Sequence, residues 1–202
     1  DQDGDLDIIL AGMEDTGELI STEIWRNDGA QGFIKAITNL TRVYYSNFEW
    51  GDYDNDGDLD LYVLTNFLDT PKPNSYRPKK LDGTAQSNDR LYRNNGNNTF
   101  TNVTLRSGII FEGYGLGVSI VDFNDDGWRD IYITNDYLTN DLMYINNQDG
   151  TFTNQIDKYL KHQTHSAMGH DIADINNDGW LDILVLEMAP DDHFRAKYEM
   201  LP

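Results

Sequence analysis

The sequence predicts an all-β fold assembled from repeated four-stranded units. Three observations carry this prediction. An aspartate-rich nonapeptide recurs roughly every fifty residues. A short run of β-branched and aromatic residues follows each copy. Further on, an aromatic residue stands eight positions before a phenylalanine, with an Asn/Gly/Asp turn between them.

The clearest nonapeptide is DYDNDGDLD, residues 52–60. Asp52, Asp54 and Asp56 alternate, Gly57 follows and Asp60 closes the stretch. So many carboxylates in one turn repel one another unless a cation sits among them. Hard oxygen ligands at positions 1, 3, 5 and 9, with glycine for the sharp turn, suit Ca²⁺, which takes about six to eight oxygens. The main-chain carbonyl of Asp58 and water would complete the shell. The pattern returns at 122–130, with Asp122, Asn124, Asp126, the carbonyl of Trp128 and Asp130. It returns again at 174–182, with Asp174, Asn176, Asp178, the carbonyl of Trp180 and Asp182. The chain opens inside another copy, where Asp1, Asp3 and Asp7 align with Asp54, Asp56 and Asp60. One such stretch alone could be a metal-free turn, since Asp, Asn and Gly are ordinary turn residues. Four copies with one internal spacing argue for a metal.

An EF-hand needs a bidentate glutamate at position 12 and flanking helices. Position 12 is Val63, Ile133 or Val185, and the runs that follow, LDLYVLT, RDIYITN and LDILVLE, read as strands. Both features exclude the EF-hand, and the lack of helices also counts against dockerin-type modules. The hairpin signatures are WRNDGAQGF (25–33), YRNNGNNTF (92–100) and YINNQDGTF (144–152). Each unit therefore reads as a strand, a metal loop, a second strand and an outer hairpin. In the third unit these are GYGLGVSIVD (113–122), RDIYIT (129–134), LMYIN (142–146) and TFTNQ (151–155). The last unit begins at AMGHDIAD (167–174).

A period near fifty with four short strands per unit points to a β-propeller. The expected blades are a partial one at 1–40, two complete ones at 46–105 and 112–156, and the start of another at 165–202. The second unit is longer by about 17 residues, which fall in the proline-containing segment 66–89. That segment is expected to be an exposed loop and a contact for a partner protein. A propeller has about 4–8 blades, so the expectation is a fragment of a longer chain.

These units resemble FG-GAP/VCBS repeats, the blades of integrin-α-like β-propellers, in the metal loop between the first two strands and the glycine-rich approach to it (Gly115, Gly117). The stretch DINNDGWLDILVLEMAPDDHFRAK also resembles a bacterial branch related to cartilage acidic protein, often ending in an ASPIC/UnbV module. The resemblance implies a calcium-stabilised propeller that binds or assembles other proteins. The alternative is the propeller part of a polysaccharide-binding or polysaccharide-degrading protein.

The net charge is −20, and thirteen of the 35 acidic side chains stand at side-chain ligand positions of the four loops. Four Ca²⁺ would leave about −12, still opposed to nucleic acid and anionic lipid. No stretch is apolar enough to span a membrane. The chain has no cysteine, so calcium would take the place of disulfides. Weak structural calcium sites suit an extracellular or cell-surface setting, outer-membrane-associated in a Gram-negative cell. Catalytic motifs are missing: no GxSxG, P-loop or HExxH occurs. His162 and His165 read as solvated, and His170 as a packing or hydrogen-bonding residue. Clustered carboxylates are assigned to the metal, so no enzyme is expected. The partners expected are cell-surface proteins and, in the alternative, glycan.

Overall fold

The computed structural model of the chain describes residues 4–12, 22–42, 46–67, 78–136 and 139–188. The described strands form four separate antiparallel sheets, each a simple meander. The first holds β1 (Ile8–Leu10), β2 (Glu23–Asn27) and β3 (Phe33–Lys35). The second holds β4 (Ser46–Gly51), β5 (Asp60–Thr65), β6 (Arg90–Asn94) and β7 (Phe100–Asn102). The third holds β8 (Gly115–Val121), β9 (Asp130–Asn135), β10 (Leu142–Asn146) and β11 (Phe152–Asn154). The last holds β12 (Ala167–Ala173) and β13 (Asp182–Glu187). Each aspartate loop joins the first two strands of its blade. Gly51 pairs with Asp60, Val121 with Asp130 and Ala173 with Asp182, so the register closes on the ninth residue of the loop.

Strand alternation decides how the blades stack. Side chains of a strand point to its two faces in turn. On β5, Leu61 and Val63 face the first blade with Ile9, Ile24 and Trp50 around them. Tyr62 and Leu64 face the third blade and meet Val118, Ile120, Ile131 and Ile133. On β9, Tyr132 turns the other way and joins Met143, Ile145, Ile172, Ile183 and Val185 against the fourth sheet. Every residue of β5 and β9 is buried, because each of these strands lies in a blade with neighbours on both sides. The outer sheets differ. Leu184 and Leu186 of β13 are 55% and 63% exposed, while Ile183 and Val185, which alternate with them, pack inward. The sheets are thus part of a β-propeller, with an apolar face on the outer side of the last sheet.

First strands of successive blades approach closely, β4 against β8 and β8 against β12. Glycine permits this. A Cβ on Gly51 would lie 2.6 Å from Ile120 Cγ2, and one on Gly115 would lie 2.2 Å from Leu64 Cδ1. The glycine-rich approach to the aspartate loops is therefore a packing requirement at the blade interface.

The segment 66–89 corrects one expectation. Residues 79–82 are exposed, but Ala85, Ser87, Asn88 and Asp89 are buried. Asn88 donates to the Ile109 carbonyl (3.0 Å), Gly83 N–H to the Ile110 carbonyl (3.0 Å) and Ser87 Oγ to Glu112 Oε2 (3.1 Å). The C-terminal part of the insertion is thus a docked part of the fold, since its polar backbone finds partners on the 104–113 connection. Its tip, residues 68–77, lies outside the described residues, as do Asp1 and Asp3. One further element was not anticipated: a helical turn, α1 (Ile156–Tyr159), buries Ile156 beside Tyr132 and Met143.

Candidate metal centres

In all three complete loops the carboxylates shape the turn through the same hydrogen bonds. The first aspartate accepts two backbone N–H groups, those of the fifth and sixth residues. For Asp52 the donors are Asp56 and Gly57 at 3.2 and 3.0 Å. For Asp122 they are Asp126 and Gly127 at 3.1 and 2.7 Å, and for Asp174 they are Asp178 and Gly179 at 3.0 and 2.8 Å. The fifth residue accepts the N–H of the seventh: Asp58 to Asp56, Trp128 to Asp126 and Trp180 to Asp178, each at 2.9 Å. The turn needs left-handed backbone at the fourth and sixth positions, where φ is 57° and 93° (Asn55, Gly57), 58° and 85° (Asp125, Gly127), and 60° and 91° (Asn177, Gly179). Asn, Asp and Gly are the residues that tolerate this region.

The ninth aspartate is a clamp. Asp60 accepts Tyr53 N–H (3.2 Å) and, from the third strand, Asn94 N–H (2.8 Å). Asp130 accepts Phe123 N–H (3.0 Å) and Asn146 N–H (2.8 Å), and Asp182 accepts Ile175 N–H (3.1 Å). Asp7 accepts Asn27 N–H at 2.9 Å, the equivalent bond in the first blade. Asp60 and Asp130 are fully buried. Desolvation, opposed by these N–H groups, pushes the Asp60 carboxyl up to about 7 and that of Asp130 up to about 6.

Carboxylate oxygens of Asp52, Asp54 and Asp60 lie within 4.8 Å of one another. Asp54 Oδ1 is buried and has no hydrogen-bond partner among the described residues. Burial, followed by the neighbouring Asp56 charge, raises the Asp54 carboxyl above the usual carboxylate range. An orphaned acceptor among converging carboxylates fits a hard divalent cation. Each oxygen of Asp52 or Asp60 spends one lone pair on an N–H and keeps another to offer. The second and third loops have Asn124 and Asn176 at the third position, where each accepts the N–H of Asp126 or Asp178 (3.2 and 2.9 Å). They supply amide oxygens in place of a carboxylate and so carry less charge.

Reading the sequence alone missed two sets of residues. The first is the asparagine two positions after each recurring aromatic. Asn94 and Asn146 fasten the loop by donating to the carbonyls of Leu59 (3.1 Å) and Arg129 (3.0 Å). Asn146 also reaches the Tyr53 carbonyl of the preceding blade at 2.8 Å, and Asn55 reaches the Gly127 carbonyl of the next loop at 3.1 Å. The second set is Asp89 and Asp141. Asp89 accepts Tyr62 Oη–H (2.9 Å) and Thr65 N–H (2.8 Å); Asp141 accepts Tyr132 Oη–H (3.2 Å) and Asn135 N–H (2.9 Å). The signal was present as Asn-Asp-x-x-Tyr at 88–92 and 140–144.

The other polar residues have local explanations. His170 Nε2 meets Ser119 Oγ at 2.9 Å and its Nδ1 meets Thr134 Oγ1 at 3.0 Å, across the interface of the third and fourth blades. Its burial lowers its pKa to about 4. Tyr92 and Tyr144 are buried in the blade interfaces. The Asn-rich hairpin turns bond to themselves, as in Asn95 Nδ2 to Thr99 Oγ1 and Asn147 Nδ2 to Thr151 Oγ1, both 2.9 Å. Trp180 is 62% exposed, and Trp128 lines a cleft between blades.

The repeats match the FG-GAP-like repeat family at residues 1–63, 83–133 and 122–185. The chain belongs to this family. The FG-GAP-like matches begin or end within the same loops and strands that define the blades. No curated protein matches the chain. Among solved structures it is similar to a lectin of Agrocybe aegerita, described as recognising non-reducing terminal N-acetylglucosamine. The identity is 17% and the TM-score 0.48, with 91% of this chain and 43% of the lectin covered.

Proposed function

We propose that these FG-GAP-like repeats form a calcium-stabilised part of a cell-surface or secreted propeller that works as a binding and assembly scaffold, not as an enzyme. The observation that carries the calcium reading is the buried, unpartnered Asp54 Oδ1 beside Asp52 and Asp60. In the first complete loop Asp52, Asp54, Asp56, Asp60 and the Asp58 carbonyl would hold one ion. Asp122, Asn124, Asp126, Asp130 and the Trp128 carbonyl would hold a second, and Asp174, Asn176, Asp178, Asp182 and the Trp180 carbonyl a third. The ion supplies charge compensation. The carboxylates and their N–H partners supply the turn that links the first strand to the second and, through Asp60 and Asp130, to the third.

Two considerations support a scaffold. The middle blades spend both faces on their neighbours, which leaves loops and the exposed part of the insertion for partner contacts. The described histidines have no third metal-ligating partner near them and no nucleophile motif accompanies them. An extracellular setting follows from the affinity range of extracellular calcium modules, about 10⁻⁴–10⁻³ M. The test is a melting curve of the purified chain with millimolar calcium and with excess chelator. The proposal expects a lower melting temperature in chelator, restored by calcium and not by magnesium. It also expects Asp54→Ala to shrink the calcium-dependent increment. Identical curves under all conditions would overturn the calcium reading.

A further inference from the structure

A cleft of about 180 Å³ opens between the second and third blades, lined among others by Tyr53, Arg93, Arg106, Ser107, Trp128 and Gln148. Both blades around it are complete, so the cleft is not a product of an outer sheet. Three features mark it as a built site.

The first is its cations. The chain holds 15 Lys and Arg against 35 Asp and Glu, yet two arginines line this one cleft. Among the described residues neither guanidinium makes a hydrogen bond or an ion pair. The equivalent position in the first blade is Arg26, whose guanidinium is tied to Asp28 at 2.6 Å, and in the third blade it is Ile145. Arg93 is therefore the one of the three that turns a guanidinium without a hydrogen bond to a cleft, where the Asp54 charge also acts on it.

The second feature is the rest of the lining. Trp128, half-buried, offers an indole face. Gln148 offers its amide oxygen, its Nε2 donating to Asp126 Oδ2 at 3.1 Å, and the buried Ser107 offers a hydroxyl. Two carboxylates also line the cleft. Asp149 Oδ1 is committed to Thr151, from its N–H at 3.0 Å and its Oγ1–H at 2.6 Å, and Asp54 belongs to the metal loop.

The third is size. Clefts that bury drug-sized ligands run to about 300–1,000 Å³, so this one suits a single compact unit. A guanidinium fork matches a carboxylate in the bidentate manner, an indole face covers an apolar ring face, and the amide and hydroxyl match ring hydroxyls.

We propose that this inter-blade cleft binds one carboxylate-bearing sugar unit, a uronate, with Arg93 and Arg106 on the carboxylate and Trp128 against the ring. This goes beyond the scaffold reading: it names a ligand class and a place for it, and it uses the Arg93, Arg106 and Trp128 side chains, none of which is offered to calcium, although the Trp128 carbonyl is.

The experiment is calorimetric titration of the calcium-loaded chain with trigalacturonate, its methyl ester, an aspartate tripeptide and inorganic sulfate. Trigalacturonate should bind, and the ester, which lacks the charge but keeps the ring, should bind about tenfold or more weakly. Arg93→Gln and Arg106→Gln should each weaken trigalacturonate by about tenfold or more with unchanged melting temperature, as both are partly or largely solvent-exposed. Trp128→Ala should weaken acid and ester alike. No binding of trigalacturonate, or equal binding of the ester, would overturn the proposal. So would a tripeptide or sulfate that binds as tightly as the saccharide, which would make the cleft a general anion site. Because melting is followed for every variant, loss of binding through unfolding is told apart from loss of the site.

Discussion

Replacing Asp130 by alanine separates the two tasks of the ninth loop position. The carboxylate is fully buried and accepts Phe123 N–H at 3.0 Å and Asn146 N–H at 2.8 Å. Leaving two buried donors without partners costs about 1–3 kcal/mol each, or roughly 2–6 kcal/mol together. A second effect opposes this without metal. Burial raises the folded-state carboxyl to about 6 from 3.8. A raised carboxylate destabilises the fold where the unfolded group is ionised, so at pH 7 removing it returns free energy, on the order of 1–2 kcal/mol after screening. The hydrogen bonds win, and the net loss in chelator should be about 1–4 kcal/mol. With calcium the charge is compensated, that relief disappears and a ligand is lost too, so the cost should rise to at least about 3–5 kcal/mol. Asp126→Ala gives the contrast. Asp126 is exposed and bonds to Trp128 N–H and Gln148, so its loss in chelator should stay within about 1 kcal/mol, yet grow clearly in calcium. Urea unfolding at pH 7 in both conditions reads all four values. If Asp130→Ala in chelator lies within about 0.5 kcal/mol of the parent, the clamp does not hold the second strand to the third and the reasoning fails.

Three further outcomes follow from the same geometry. Gly51→Ala should destabilise by about 1–3 kcal/mol, because its methyl group would stand 2.6 Å from Ile120 Cγ2; denaturation that leaves the midpoint unmoved would show that the blades can shift apart. His170, neutral between Ser119 and Thr134, should not titrate by NMR until about pH 4, although the Asp171 charge favours its protonation. Its folded pKa lies below the unfolded value of 6.5, so its stabilisation is complete above about pH 6.5 and is lost as pH falls towards 4. The stability gap between the parent and His170→Gln should therefore narrow, by on the order of 1 kcal/mol between pH 7 and 5; a constant gap would contradict this. Asp89→Ala, which strips acceptors from Tyr62 Oη–H and Thr65 N–H, should cost more than Lys80→Ala on the exposed part of the same insertion, where effects stay within about 0.5 kcal/mol. Thermal melts of the two proteins compare them directly.

The blades were legible because the sequence states them in two independent ways. Loops of fixed spacing mark each junction, and the runs after them, such as LYVLT and IYITN, are apolar on both faces, as strands between two neighbours must be. The hairpins were legible from turn chemistry. Polar residues that work inside the fold were not. Asp89, Asp141 and Asn146 look like solvated turn residues, and only the paired strands show that their oxygens and amides meet buried partners from β5, β9 and the preceding blade. The insertion misled for the same reason: its composition reads as exposed, while Asn88 and Ser87 answer backbone and carboxylate groups at 109–112. The arginine cleft depends on Arg93 and Arg106 meeting Trp128 of the next blade, a distance in sequence that no local pattern encodes.

Counting the ions tests the central claim most directly. The chain, stripped with chelator and dialysed against millimolar calcium, can be weighed by native mass spectrometry alongside Asp52→Ala, Asp122→Ala and Asp174→Ala. The account predicts specific calcium retention that drops by one ion in each variant, with three ions assigned to the loops at 52–60, 122–130 and 174–182. A parent chain that retains no calcium, or variants that retain as much as the parent, would contradict it.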